Sequence, residues 1–191
     1  MELQHINVKL YLRDPQAVKL ETLIPVFHGW IQSKACEEIM IDVADYRHVH
    51  AGPGVVLVGH QADYSVDNTD NRLGIRYNRK ATLAGSNRDR FSQALRAALR
   101  ACQRLEAEEK LSGSLRFNGQ DMKLFVNDRM LAPNSERVTD SVQGELRDFF
   151  GSIVGGGDFE LKFDTNPRSL FGVEVRTAKP LELDEVLARL N

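Results

Sequence analysis

Three strand-like segments follow one another between residues 55 and 77 with only turn residues between them, and this succession constrains the fold more than any other feature. Val55, Val56, Leu57 and Val58 form an apolar run, as expected of a central strand covered on both faces. Tyr64 and Val66 share one parity, as do Leu73, Ile75 and Tyr77. The tract Asp67-Asn68-Thr69-Asp70-Asn71 between them reads as a hairpin loop. Its likeness to a calcium loop fails at the sixth position, where Arg72 replaces the required glycine. Strands joined this closely pair antiparallel, because a parallel crossover needs about a dozen residues or more.

The rest of the chain adds helices and further strands. Ile6 to Leu12 alternates like a half-buried strand, and Leu20, Leu23, Ile24, Phe27, Trp30 and Ile31 recur at helical spacing with Pro25 in the first turn. Residues 38–43 predict a strand with Ile39, Ile41 and Val43 on one face and Asp42 on the other. Gly52-Pro53-Gly54 is a turn. Ser86 or Asn87 caps a long helix to about Lys110, with Phe91, Leu95, Ala98, Cys102 and Leu105 as its buried stripe. Asn118-Gly119 predicts a hairpin between 114–117 and 121–126. A helix over 135–154 ends at Gly155-Gly156-Gly157, and strands at 159–163 and 170–175 precede a last helix over 183–190. Leu115-Arg116-Phe117-Asn118 echoes Leu161-Lys162-Phe163-Asp164, and Leu124-Phe125 echoes Leu170-Phe171 at the same offset. The expected fold is therefore α+β, an antiparallel or mixed sheet with about four helices in the order βαββββαββαββα, the last two ββα units reading as a duplication. It is expected as a single compact domain over 1–191, with 1–112 and 113–191 as candidate subdomains.

Composition narrows the class. With 42% hydrophobic and 27% charged residues the chain reads as soluble and globular, and no apolar run approaches the roughly 20 residues a membrane-spanning helix needs. The first residues lack a basic region followed by an apolar core, so no secretory signal is expected. Two cysteines, Cys36 and Cys102, suit reduced thiols in a cytoplasm better than a disulfide framework. Charge is uneven. Between Arg72 and Arg104 nine basic residues stand against the single acid Asp89, leaving that segment at +8; with a chain total of −2, everything else amounts to −10. Such clustering points to anionic ligands or acidic protein surfaces.

Two candidate sites emerge. His48, His50 and His60 fall in one short run. If 48–50 is extended, His48 and His50 face one side, and with His60 they could hold a divalent metal or act as acid–base catalysts oriented by Asp42 or Asp63. The alternative is that these are locally bonded loop and strand-end histidines. The second candidate is an anion site built from Arg76, Arg79 and Lys80 together with Arg88 at a helix start. Arg96, Arg100 and Arg104 add a basic stripe that is otherwise a solvated helix face. The stripe lacks interleaved aromatics, so nucleic acid is not the expected partner.

The string Ile41-Asp42-Val43-Ala44-Asp45-Tyr46-Arg47-His48-Val49, with Gly52-Pro53-Gly54-Val55-Val56-Leu57-Val58-Gly59-His60 after it, resembles a family of uncharacterised bacterial proteins. The likeness extends through Asp67-Asn68 and Arg76-Tyr77-Asn78-Arg79-Lys80. It implies a bacterial, cytoplasmic origin, and it carries no known activity from which a catalytic role could be transferred. The leading expectation is a binding or regulatory module for a small anionic ligand or a partner protein, with no cofactor. The alternatives are a small hydrolase or isomerase using His48, His50 and His60, with or without a divalent metal, and a structural homo-oligomer subunit.

Overall fold

The computed structural model describes residues 1–111, 113 and 115–190. The chain forms β1 (Ile6–Leu12), α1 (Leu23–Gln32), β2 (Met40–Tyr46), β3 (Gly54–Gly59), β4 (Ala62–Asp67), β5 (Gly74–Arg79), α2 (Asn87–Ala107), β6 (Phe117–Val126), α3 (Glu136–Val154), β7 (Phe159–Phe163), β8 (Gly172–Thr177) and α4 (Leu183–Arg189). These strands make one sheet in the order β2-β3-β4-β5-β1-β6-β8-β7, and every neighbouring pair is antiparallel. The fold is α+β with four helices among the described residues. None of those helices is long and apolar enough to cross a membrane.

Local chemistry sets the element ends. Ser86 caps α2 through a capping box with Asp89, each side chain taking the other's backbone N–H. Gly155 closes α3 in the left-handed conformation. Gly54 opens β3 at φ +66°, and a Cβ there would sit 2.1 Å from the Val66 carbonyl oxygen, so both backbone angle and space demand glycine.

Two expectations need correcting. Asn118-Gly119 makes no hairpin: both residues lie inside the single ten-residue strand β6. The glycine serves another backbone, since Leu181 N–H donates to the Gly119 carbonyl and a Cβ at 119 would lie 2.2 Å from Leu181 O. Ser114, in the first arm of the expected hairpin, lies outside the described residues. The order is therefore βαββββαβαββα, and the 46-residue echo does not yield two equivalent ββα units, because the first has one strand. β2, for its part, starts at Met40 and shifts register between Met40 and Asp42. The shift breaks parity: Met40 packs on the core while Ile39 and Ile41 remain 64% and 53% exposed.

One face of the sheet carries the core. Ile6, Val8 and Leu10 of β1, Ile75 and Tyr77 of β5, and Leu124 and Val126 of β6 join the buried residues of all four helices in one cluster. The opposite face has no place in that cluster, yet several of its residues are buried: Asn7, Lys9 and Tyr11 of β1, Ser65 and Asp67 of β4, and Phe125 of β6.

Candidate ligand cleft on the helix-free face

Strand parity builds this site. In β1 the core residues occupy even numbers, so Asn7, Lys9 and Tyr11 point the other way. Register then places Arg76 of β5 and Lys123 of β6 on either side of Lys9, and Glu174 of β8 beyond Lys123. Lys9 Nζ lies 2.6 Å from Asp67 Oδ1 and also donates to the Thr69 carbonyl at 3.0 Å. Asp67 further accepts from Thr69 N–H and Thr69 Oγ1, with an Arg76 guanidinium nitrogen at 3.5 Å. The side chains of Lys9 and Asp67 are 5% and 0% exposed.

The electrostatics follow from that burial. Desolvation pushes the Lys9 ammonium below the usual lysine range, against the pull of Asp67. Burial also pushes the Asp67 carboxyl upward, but the Lys9 charge and hydrogen bond, the Thr69 N–H and Arg76 outweigh it and hold Asp67 below the ordinary carboxylate range. Around the pair a cleft of about 410 Å³ is lined by Arg76, Lys123 and Phe125 from the sheet, by Asp70 and Asp164 from loops, and by Glu174. Arg76 lies over the Phe125 ring at 4.6 Å, and Arg72 over Tyr11 at 3.6 Å, so the buried aromatics on this face sit under guanidinium planes. Beside the cleft the Asn7 side chain is fully buried with neither its amide nitrogen nor its oxygen paired among the described residues, and Arg76 Nε is likewise buried and unpaired.

The anion residues read from sequence do not gather here as a set. Arg76 does line the cleft. Arg79 belongs to the other face, where it approaches Glu38 at 3.8 Å and donates to the Ala81 carbonyl. There Glu38 also accepts from Tyr64 and Tyr77 hydroxyls at 2.8 and 2.7 Å. Lys80 pairs with Asp63 at 2.7 Å and donates to the Gly59 carbonyl. Arg88 donates to Ser152 Oγ at 3.0 Å. Adjacent residues of a strand alternate faces, which separates Arg76 from Arg79 whatever their closeness in sequence.

The histidines are also apart. Residues 47–51 form a turn, so His48 and His50 are not extended partners on one side. They precede β3 and His60 follows it, which sets them roughly 20 Å apart along six strand residues. The Asp42 side chain, on β2, accepts from the N–H of Val43, the next residue. No group of three or more His, Cys, Asp or Glu side chains among the described residues could hold a metal ion.

On the helix side a second cleft, of about 390 Å³, lies between the end of α1 and α2, lined by Trp30, Cys36, Tyr64, Arg100 and Arg104. Arg100 is taken by Glu37 there, and burial pushes the Cys36 thiol up to about 12, which keeps it protonated and poorly nucleophilic near neutral pH. Arg96 of the same stripe is turned away to the Leu190 carbonyl.

Sequence reasoning missed Lys9, Asp67, Lys123, Asp164 and Glu174. The signal for Lys9 was its alternation with Val8 and Leu10; the alternation gives its face but not the burial of that face. Comparison with family models, with curated proteins and with solved structures finds no match to this chain.

Proposed function

We propose that the protein is a binding module for a small zwitterionic molecule carrying a carboxylate and an ammonium group, such as an α-amino acid, seated in the helix-free cleft. The observation that carries this reading is the buried Lys9–Asp67 pair on a face outside the hydrophobic core. A buried ion pair rarely stabilises a fold more than an apolar pair of the same volume would, so its presence beside an open cleft favours a ligand role. Arg76 and Lys123 suit the anionic end. Asp164 and Glu174 suit the cationic end, and Phe125 offers an apolar floor. The cleft volume matches small-molecule sites. Arg76 is the one residue this reading shares with the anion site expected from sequence. A cytoplasmic setting belongs to the same reading, supported by Cys36 and Cys102 standing as free thiols.

The test is thermal unfolding of the full chain with glycine, glutamate, lysine, phenylalanine, acetate or inorganic phosphate. At a hundred times its dissociation constant a ligand adds about 2.7 kcal/mol, a shift of several degrees. An amino acid should raise Tm more than acetate or phosphate does, and Arg76→Ala and Glu174→Gln should each abolish the rise. No rise with any amino acid, or an undiminished rise in both variants, would sink the proposal.

A further inference from the structure

The sheet ends at β7, and this strand is complementary to itself. Its residues are Phe159-Glu160-Leu161-Lys162-Phe163, exposed at Glu160 and Lys162 and half-buried at the three apolar positions. Antiparallel pairing of two copies about a two-fold axis at Leu161 sets Leu161 against Leu161, Phe159 against Phe163, and Glu160 against Lys162.

The backbone suits that register. Ala178 N–H donates to the Asp158 carbonyl and Asp164 N–H to the Gly172 carbonyl, so even-numbered residues of this strand turn their polar groups toward β8. By alternation the N–H and C=O of Phe159, Leu161 and Phe163 face the free edge. They are the residues that the two-fold sets opposite one another as hydrogen-bonded pairs. Glu160 and Lys162 then fall at the non-hydrogen-bonded positions, where side chains approach most closely.

Charge continues across the seam. Register aligns Asp121, Arg176 and Glu160 in one row from β6 to β7, and Lys123, Glu174 and Lys162 in the next. The two-fold joins the first row of one copy to the second row of the other, so that signs alternate without a break: minus, plus, minus, then plus, minus, plus. The other free edge, β2, lacks this property. It holds Asp42 and Asp45 with no cation within its length, and its register shift interrupts the ladder.

We propose that the occupant of the β7 edge is a second copy of this chain, paired antiparallel through Phe159–Phe163 into one sheet running through both molecules. The surface is small, so the dimer is a weak one that forms at micromolar concentrations or above. This inference stands apart from the ligand reading: of the cleft residues its rows include only Lys123 and Glu174, which keep their register positions in either state.

Sedimentation velocity over a range of concentrations tests it, with Glu160→Lys and Lys162→Glu variants whose folding is checked by melting in dilute solution. The wild type should rise toward twice the monomer mass as concentration increases. Each variant alone sets like charges against each other and should associate at least tenfold more weakly. An equimolar mixture of the two restores opposite pairs at every position and should recover dimers, as heterodimers. Salt should weaken the wild-type dimer. A wild type that stays monomeric throughout overturns the proposal. So does association unchanged in the single variants, which would place any dimer on another surface, or a mixture no better than its components.

Discussion

At the scale of single residues, Lys9 and Asp67 carry the strongest consequence. Removing one member of a buried ion pair leaves the other charge uncompensated, so Lys9→Met should cost about 3–5 kcal/mol in urea unfolding. Replacing both, as Lys9→Met with Asp67→Leu, should return most of that stability while removing the buried pair from the cleft. If the double variant binds amino acids as the wild type does, the pair is structural only. Acid gives a second handle on the same pair. Asp67 is held below its unfolded value, so its contribution is fully present above about pH 4 and disappears as pH falls through the folded pKa. The stability of the wild type should therefore fall more steeply below about pH 4 than that of the double variant. These residues were only half legible. Alternation in Ile6–Leu12 fixes that Lys9 opposes Val8, but a polar position on a strand reads as exposed by default. Asp67, within a polar tract, reads as a turn residue until β4 and β5 are seen to bury it against Lys9.

At the scale of elements, hydrophobic period located nearly everything. α2 and α3 appear where apolar residues recur at helical spacing, and their ends fall at Ser86 and Gly155 as capping chemistry requires. Failures came where a short signal had two physical uses. Asn118-Gly119 satisfies a tight hairpin, but a glycine is equally what a strand needs where another backbone crosses it. Gly119→Ala separates the two: in a hairpin loop it would matter through backbone angle, whereas here the new methyl meets Leu181 O and should cost about 1–3 kcal/mol and loosen the segment leading into α4. Hydrogen exchange at the Leu181 amide, which Gly119 O now holds, should rise in that variant; unchanged exchange would mean the crossing is not what the glycine serves. The histidine run failed for a related reason. Nearness in sequence says little about nearness in space when a complete strand intervenes.

At the scale of the whole molecule, a sheet covered by helices on one side leaves its other side to carry charge, and both proposals rest on that asymmetry. One core cluster draws on every helix, and β1 joins strands from both halves of the chain, so heat should unfold the molecule in one transition. Calorimetric and van't Hoff enthalpies that differ widely would show instead that residues on either side of α2 melt separately. The strand order itself was not legible, because period and turn signals fix neighbours in sequence and leave open which distant strand fills each edge.

The central position of β1 has a consequence during synthesis. Asn7, made before either of its strand partners, pairs on one side with Asn78 and on the other with Phe125. At about 5–20 residues per second, β5 reaches it well before β6 does, and for a few seconds β1 is the bare edge of a five-strand sheet. During that interval β1 can accept any passing strand, including β6 of a neighbouring chain on the same message. The arrival of the chain's own β6, directed by Leu124 and Val126 toward the waiting core, closes that interval.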